Sequence, residues 1–317
     1  MIQKRAASIA YGNGTFVGVG GGFRFISHDG SNWTVYANAP IINQGGVAYG
    51  NGVFMTFGTN IQNKANFVLQ STNGTTWTQV YTSSNTLFAA AYGNNTWVFV
   101  GINDITTANA TSTNWSWSEF QPAFFPACIT YGNGIFVIGA YSNWGINNNN
   151  TAGYNYWIFS SSDGITWQYN ATLPNPAYNT WGNVPFIYTG IAYGNGVFVA
   201  SILATASGNY FPQILVSSDL ISWSPIISST LYPLYVTNLP VTFGGNQFIT
   251  SLGNIAVYTS SSGYSWDVNS SGIPLNTLTF GQGTFVVTEV GKVFQSDAFA
   301  AQSNSPATTL GISTTPA

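Results

Sequence analysis

The segment Tyr11-Gly12-Asn13-Gly14-Thr15-Phe16-Val17 decides how the rest of the chain is read. Asn-Gly sits between two short apolar runs, and both residues tolerate positive φ, which makes the pair the strongest short hairpin signal. The same opening motif returns as Tyr49-Gly50-Asn51-Gly52-Val53-Phe54, Tyr131-Gly132-Asn133-Gly134-Ile135-Phe136 and Tyr193-Gly194-Asn195-Gly196-Val197-Phe198. Weaker copies are Tyr92-Gly93-Asn94-Asn95-Thr96-Trp97, Phe243-Gly244-Gly245-Asn246-Gln247-Phe248 and Phe280-Gly281-Gln282-Gly283-Thr284-Phe285. The seven copies start 38, 43, 39, 62, 50 and 37 residues apart.

A second signature, Ser-x-Asp-Gly-x-x-Trp, closes each unit. Its best copies are Ser27-His28-Asp29-Gly30-Ser31-Asn32-Trp33 and Ser161-Ser162-Asp163-Gly164-Ile165-Thr166-Trp167. Asn73-Gly74 with Trp77, Asp219 with Trp223, and Gly263 with Trp266 are drifted copies, and Thr111 to Trp117 keeps only the length. The seventh unit stops at Gln295-Ser296-Asp297 without a Trp. This is turn chemistry: Asp and Asn oxygens accept bonds from nearby backbone N–H groups, and the Trp face packs between sheets. Each unit reads as four short strands, and ~40–45 residues is the period of a propeller blade.

The expectation is therefore all-β: a seven-bladed β-propeller of four-stranded antiparallel blades over residues 1–300, with an extended Ser/Thr/Pro-rich tail over 301–317. Residues 1–6 are expected to complete the seventh blade, with 298–309 as the alternative. Asn13, Asp29, Asn51, Asn133, Asp163, Asn195 and Asp219 are expected to be structural turn residues. The closing signature resembles the Asp box of sialidase-type propellers, shortened by one residue between Asp and Gly. The resemblance spans nearly the whole chain. It implies the fold and not an activity, because the box is a structural turn.

Composition narrows the function. Only 4% of residues are charged, against about 25% in a typical soluble protein, so Ser, Thr, Asn and Gly must supply the polar surface. With 22 Phe, 18 Tyr and 11 Trp the chain has ample material for a core. Low charge weakens the repulsion that keeps free molecules apart, which suits a protein fixed in an assembly. The five basic residues, Lys4, Arg5, Arg24, Lys64 and Lys292, are too few and too scattered for nucleic acid. Cys128 and His28 are single, so neither an internal disulfide, nor a Cys/His zinc site, nor a His-based triad can form. No cofactor or metal is expected; the Asn147–Asn150 run lacks the carboxylates calcium favours. No leader-like apolar stretch follows Lys4-Arg5, and no 18-residue apolar run spans a membrane.

Catalysis is not expected. Sialidase-like enzymes grip their substrate with three arginines, and this chain has Arg5 and Arg24. Of eight acids, Asp29, Asp163 and Asp219 fall in turns. Asp104 and Glu119 share a unit and could approach as the carboxyl pair a glycosidase needs, but the expectation is that they are exposed loop and strand-end charges. The uniform turns fall on one face of the disc and the variable loops on the other, which is the expected binding face. Its candidate residues are Tyr141, Trp144, Tyr154, Trp157, Tyr178, Trp181 and Tyr210, aromatic rings among Asn, Ser and Gly that suit a glycan or a protein. The repeat style also resembles propeller repeats of phage and bacterial surface proteins. The expected role is that of a virion structural or receptor-binding protein, such as a tail fibre component or capsid decoration. Its partners would be other virion or surface-assembly proteins and a host-surface glycan. The alternatives are a secreted or surface-bound lectin-like propeller and, more remotely, a glycoside hydrolase.

Overall fold

The computed structural model describes residues 8–20, 22–37, 42–60, 62–101, 104–119, 124–142, 155–173, 187–206, 209–228, 239–251, 257–269, 277–289, 292–296 and 312–316. The first blade shows the plan: Ser8–Gly12, Thr15–Gly20, Phe23–Ser27 and Thr34–Ala37 pair antiparallel in chain order. Residues 42–83, 87–119, 124–172, 187–228 and 241–269 repeat it.

The expectation of a seven-bladed ring of like units needs correction. Six four-stranded blades are complete within their own stretch of chain. The remaining sheet is composite: Thr277–Gly281, Thr284–Glu289 and Lys292–Ser296 are joined by Ile312–Pro316, which pairs antiparallel with Lys292–Ser296. The closing strand thus comes from the C-terminal tail, not from residues 1–6, and the boundary at residue 300 cuts through this sheet. The physical reason lies at Ser296-Asp297, where no Gly-x-x-Trp follows to turn the chain back at once.

The innermost strand of each sheet lies against that of the next, and Thr277–Gly281 lies against Ser8–Gly12. The repeated Tyr-Gly-Asn-Gly motif explains this. Asn13 and Gly14 hold φ of 48° and 68°, the left-handed pair of a type I′ hairpin turn. Phe16 is fully buried and its ring centroid lies 4.6 Å from that of Tyr11. The Tyr ring covers the first motif glycine of the preceding sheet: Tyr49 covers Gly12, Tyr92 covers Gly50, Tyr131 covers Gly93 and Tyr193 covers Gly132. Phe243 and Phe280 do the same over Gly194 and Gly244, and Tyr11 covers Gly281. Cores lie between neighbouring sheets: Val17 and Val19 meet Val47 and Phe54, and Ile9 and Phe16 meet Val286.

A Cβ at Gly93 would overlap the Tyr131 ring. Gly93→Ala is expected to destabilise by about 1–3 kcal/mol, the usual range for overpacking. Gly14→Ala meets open space but keeps φ at 68°, so its loss should be nearer ~1 kcal/mol. Urea denaturation of the two variants beside the parent measures the difference.

Candidate functional site

The turn face is built from the closing signatures. Ser27 Oγ accepts the Gly30 N–H at 2.8 Å, and Asp29 Oδ1 accepts the N–H groups of Ser31 and Asn32 at 2.8 and 2.7 Å. Asp163 and Asp219 repeat this with their own following N–H groups. Asn73 does it with an amide oxygen, and Ser262 with a hydroxyl at longer range, 3.2 and 3.3 Å. The Trp N–H closes each turn by donating to the carbonyl three residues back, as Trp33 does to Gly30 at 2.9 Å.

In the third blade this turn runs from Asn109 to Trp115, two residues earlier than the Thr111–Trp117 reading. Asn109 Oδ1 accepts the N–H groups of Thr113 and Asn114, and Trp115 donates to the Ser112 carbonyl. Ser112 stands at the glycine position with φ of 58°, and Leu220 does so in the fifth blade with φ of 65°.

Amide side chains of the opening motifs clasp these turns from the neighbouring sheet. Asn13 Nδ2 donates to the Thr72 carbonyl, Asn51 to Ala110, Asn94 to Ser162 and Asn195 to Ser261, at 3.4, 3.0, 2.9 and 2.7 Å. Gln282 donates to the His28 carbonyl at 2.7 Å, which joins the two ends of the ring. Asn133 holds φ of 51° in its own hairpin turn.

The charged groups of this face are spent on structure. The N–H and side-chain amide of Asn32 hold the Asp29 carboxyl far below the usual carboxylate range. Burial pushes Asp163 up, but the N–H groups of Thr166 and Ile165 outweigh it and the net shift is down. The Ser222 and Ile221 N–H groups lower Asp219. His28 Nδ1 lies 3.2 Å from Thr15 Oγ1. Cys128 is buried, which pushes its thiol up to about 12. Among the described residues, no three His, Cys, Asp or Glu side chains gather as a metal site.

Of the expected binding residues, the side chains of Tyr141 and Trp157 are described, and the structure separates them. Tyr141 is partly buried and stacks on Phe125 at 5.2 Å. Trp157 packs edge-on against Phe124 at 5.1 Å and Tyr169 at 5.3 Å. Ala140 is the register partner of Trp157, so Tyr141 and Trp157 lie on opposite faces of one sheet and belong to different inter-sheet cores. Tyr210 lies on the strand Asn209–Ser217, with its side chain outside the described residues. Trp144, Tyr154, Tyr178 and Trp181 also lie outside them.

Two features escaped the sequence reading. The innermost strands of blades two to five carry a β-bulge at Gly45, Phe88, Ala127 and Thr189. Leu87 and Ala90 face one core and Ala89 and Ala91 the other. Phe88 is the extra residue, breaks that alternation, and is 44% exposed at the inner edge of the blade.

The second feature is Asp104, which is fully buried. Its Oδ2 accepts Asn85 Nδ2 at 3.0 Å and Trp117 Nε1 at 2.9 Å, while Oδ1 has no partner among the described residues. Burial raises its pKa despite both bonds. Glu119 is its cross-strand register partner, with its side chain outside the described residues. The one available signal was the Trp115-Ser116-Trp117 doublet, in which only one Trp can close the turn.

The fold defines the class: an all-β propeller with four-stranded antiparallel blades. No family model matches the chain, and no curated protein matches it. Solved structures do. Virginiamycin B lyase from Staphylococcus aureus is similar with a TM-score of 0.63 at 15% identity, over 91% of this chain and 93% of that one. Sqt1 of Saccharomyces cerevisiae gives 0.56 at 10% identity, over 95% and 84%. The β-propeller domain of the Trilobed protease from Pyrococcus furiosus gives 0.56 at 8% identity, over 93% and 94%. At such identities the likeness is one of fold.

A carboxyl held below its unfolded value stabilises the fold at neutral pH, and that contribution disappears as pH falls through the unfolded value of about 4 toward the folded one. Asp29, Asp163 and Asp219 all have this sign. The triple variant Asp29→Asn, Asp163→Asn, Asp219→Asn extends the Asn73 arrangement to these blades. Its melting temperature is expected to fall less steeply than the parent's between about pH 4 and 2. Thermal scans across that range measure it.

Proposed function

We propose that this propeller is non-catalytic and serves as a virion structural or receptor-binding protein, a tail fibre component or capsid decoration, built from shortened Asp-box-like repeats. One observation carries the reading: most of the reactive side chains among the described residues are taken up by architecture. Three acids bind turn N–H groups, Asp104 is buried, Cys128 is buried, and His28 sits inside a closing turn. Lys64 and Asp267 apart, the polar side chains left exposed among the described residues are mainly amide and hydroxyl, beside exposed aromatic rings, chemistry that suits contact with a glycan or a neighbouring subunit. The very low charge supports a place in an assembly.

A glycan array probed with the folded chain and with a Trp144→Ala, Trp181→Ala variant tests the adhesive part. Saturable binding is expected, weakened at least about tenfold in the variant, the scale of a lost aromatic hot spot. Release of reducing sugar from any bound glycan would overturn the non-catalytic reading. Binding to no glycan would remove the receptor-binding role and leave docking onto other subunits.

A further inference from the structure

Blade three carries a group that its neighbours lack. The strand after the second-to-third loop opens with Asp104 here, and with Phe23, Asn66, Asn155, Asn209, Val257 or Lys292 elsewhere. Two residues beyond the turn-closing Trp stands a second indole, Trp117, where the other complete blades have Val35, Gln79, Tyr169, Pro225 and Val268. The turn-closing indoles donate their N–H to a turn carbonyl and are buried or half-buried. Trp117 instead donates to a buried carboxylate and is 50% exposed. No aromatic ring of the described residues stacks on it, whereas Tyr169, at the equivalent position, packs against Trp157 and Phe159.

Burying a carboxylate without a cation is unfavourable, and among the described residues the bonds to Asp104 come from Asn85 and Trp117 alone. What the arrangement achieves is orientation. The N–H edge of the indole is pinned while half the side chain stays bare, so a ligand need not freeze a mobile ring. Asn85 is bound to the same carboxylate oxygen, which places its amide beside that edge. Its amide oxygen accepts no bond from the described residues and is left for a hydroxyl. A flat apolar face bordered by a neutral amide matches a pyranose, which has a C–H face and a hydroxyl rim.

We propose that Trp117 is a stacking platform for a neutral pyranose ring, with Asp104 and Asn85 as the residues that position it. This rests on the glycan-binding reading above but places a site on blade three that uses neither Trp144 nor Trp181.

The test titrates the full chain with cellohexaose, chitohexaose and maltohexaose by calorimetry. At least one is expected to bind, and Trp117→Ala to weaken it about tenfold or more with an unchanged melting temperature. Asp104→Asn should weaken binding about threefold, the expected effect of loosening a ring that stays in place. It should also move one indole N–H resonance, identified by its loss in Trp117→Phe. Equal affinity of folded Trp117→Ala and parent overturns the inference and leaves the wider glycan reading standing. Binding of none of the three sugars to the parent overturns it whatever the array shows. An unmoved indole resonance in Asp104→Asn overturns the positioning role.

Discussion

The ring depends on an aromatic side chain lying on a bare α-carbon. Each opening motif supplies both halves: its Tyr or Phe covers the glycine of the sheet before, and its own glycine is covered by the sheet after. The contact is possible only where no Cβ intervenes, so one dipeptide fixes the spacing of neighbouring inner strands. The buried Phe or Trp five residues on then fills the wedge behind it. Tyr11 over Gly281 completes the cycle with the same contact used everywhere else. Once the inner strands are spaced this way, the outer strands follow by antiparallel pairing, and the inter-sheet cores fill from Val, Ile and Phe on alternating faces.

Such a scaffold has little use for charge. The closing turn needs an oxygen that can accept two consecutive backbone N–H groups, and carboxylate, amide and hydroxyl all serve: Asp29, Asn73 and Ser262 occupy one position. The shorter bonds at Asp29 than at Ser262 follow the expected order for ionised and neutral acceptors. Asp104 is the exception. It binds side chains, is fully buried, and holds a ring that is half exposed.

What the sequence made legible was local. Asn-Gly turns and Ser-x-Asp-Gly turns are specified within a few residues, so the strands, their order and the sheet plan could be read directly. The misreading of blade three arose because Asn109, at the position of Ser27, takes over the work of Asp29, and Ser112 stands in for the glycine. An amide acceptor reaching from two positions earlier for a carboxylate, and left-handed serine for glycine, are physically close but dissimilar as letters. The closing strand Ile312–Pro316 carries no turn marker, and its pairing is decided by backbone geometry across a gap of 15 residues (297–311). The candidate ligand rings were chosen by type. Type cannot tell Trp157, wedged between Phe124 and Tyr169, from Trp117, whose exposure is set by a carboxylate 13 residues away.

The inter-sheet clasps have a further property. In each, the donor is a side-chain amide but the acceptor is a main-chain carbonyl: Thr72, Ala110, Ser162, Ser261 and His28 are of four residue types, and none contributes more than its C=O. One side of the joint is therefore blind to sequence. A unit carrying the amide can be seated beside any unit with the turn, without matched changes in both. Gene duplication can then copy units freely, and the side chains at each acceptor position can diverge while the seam between units stays closed.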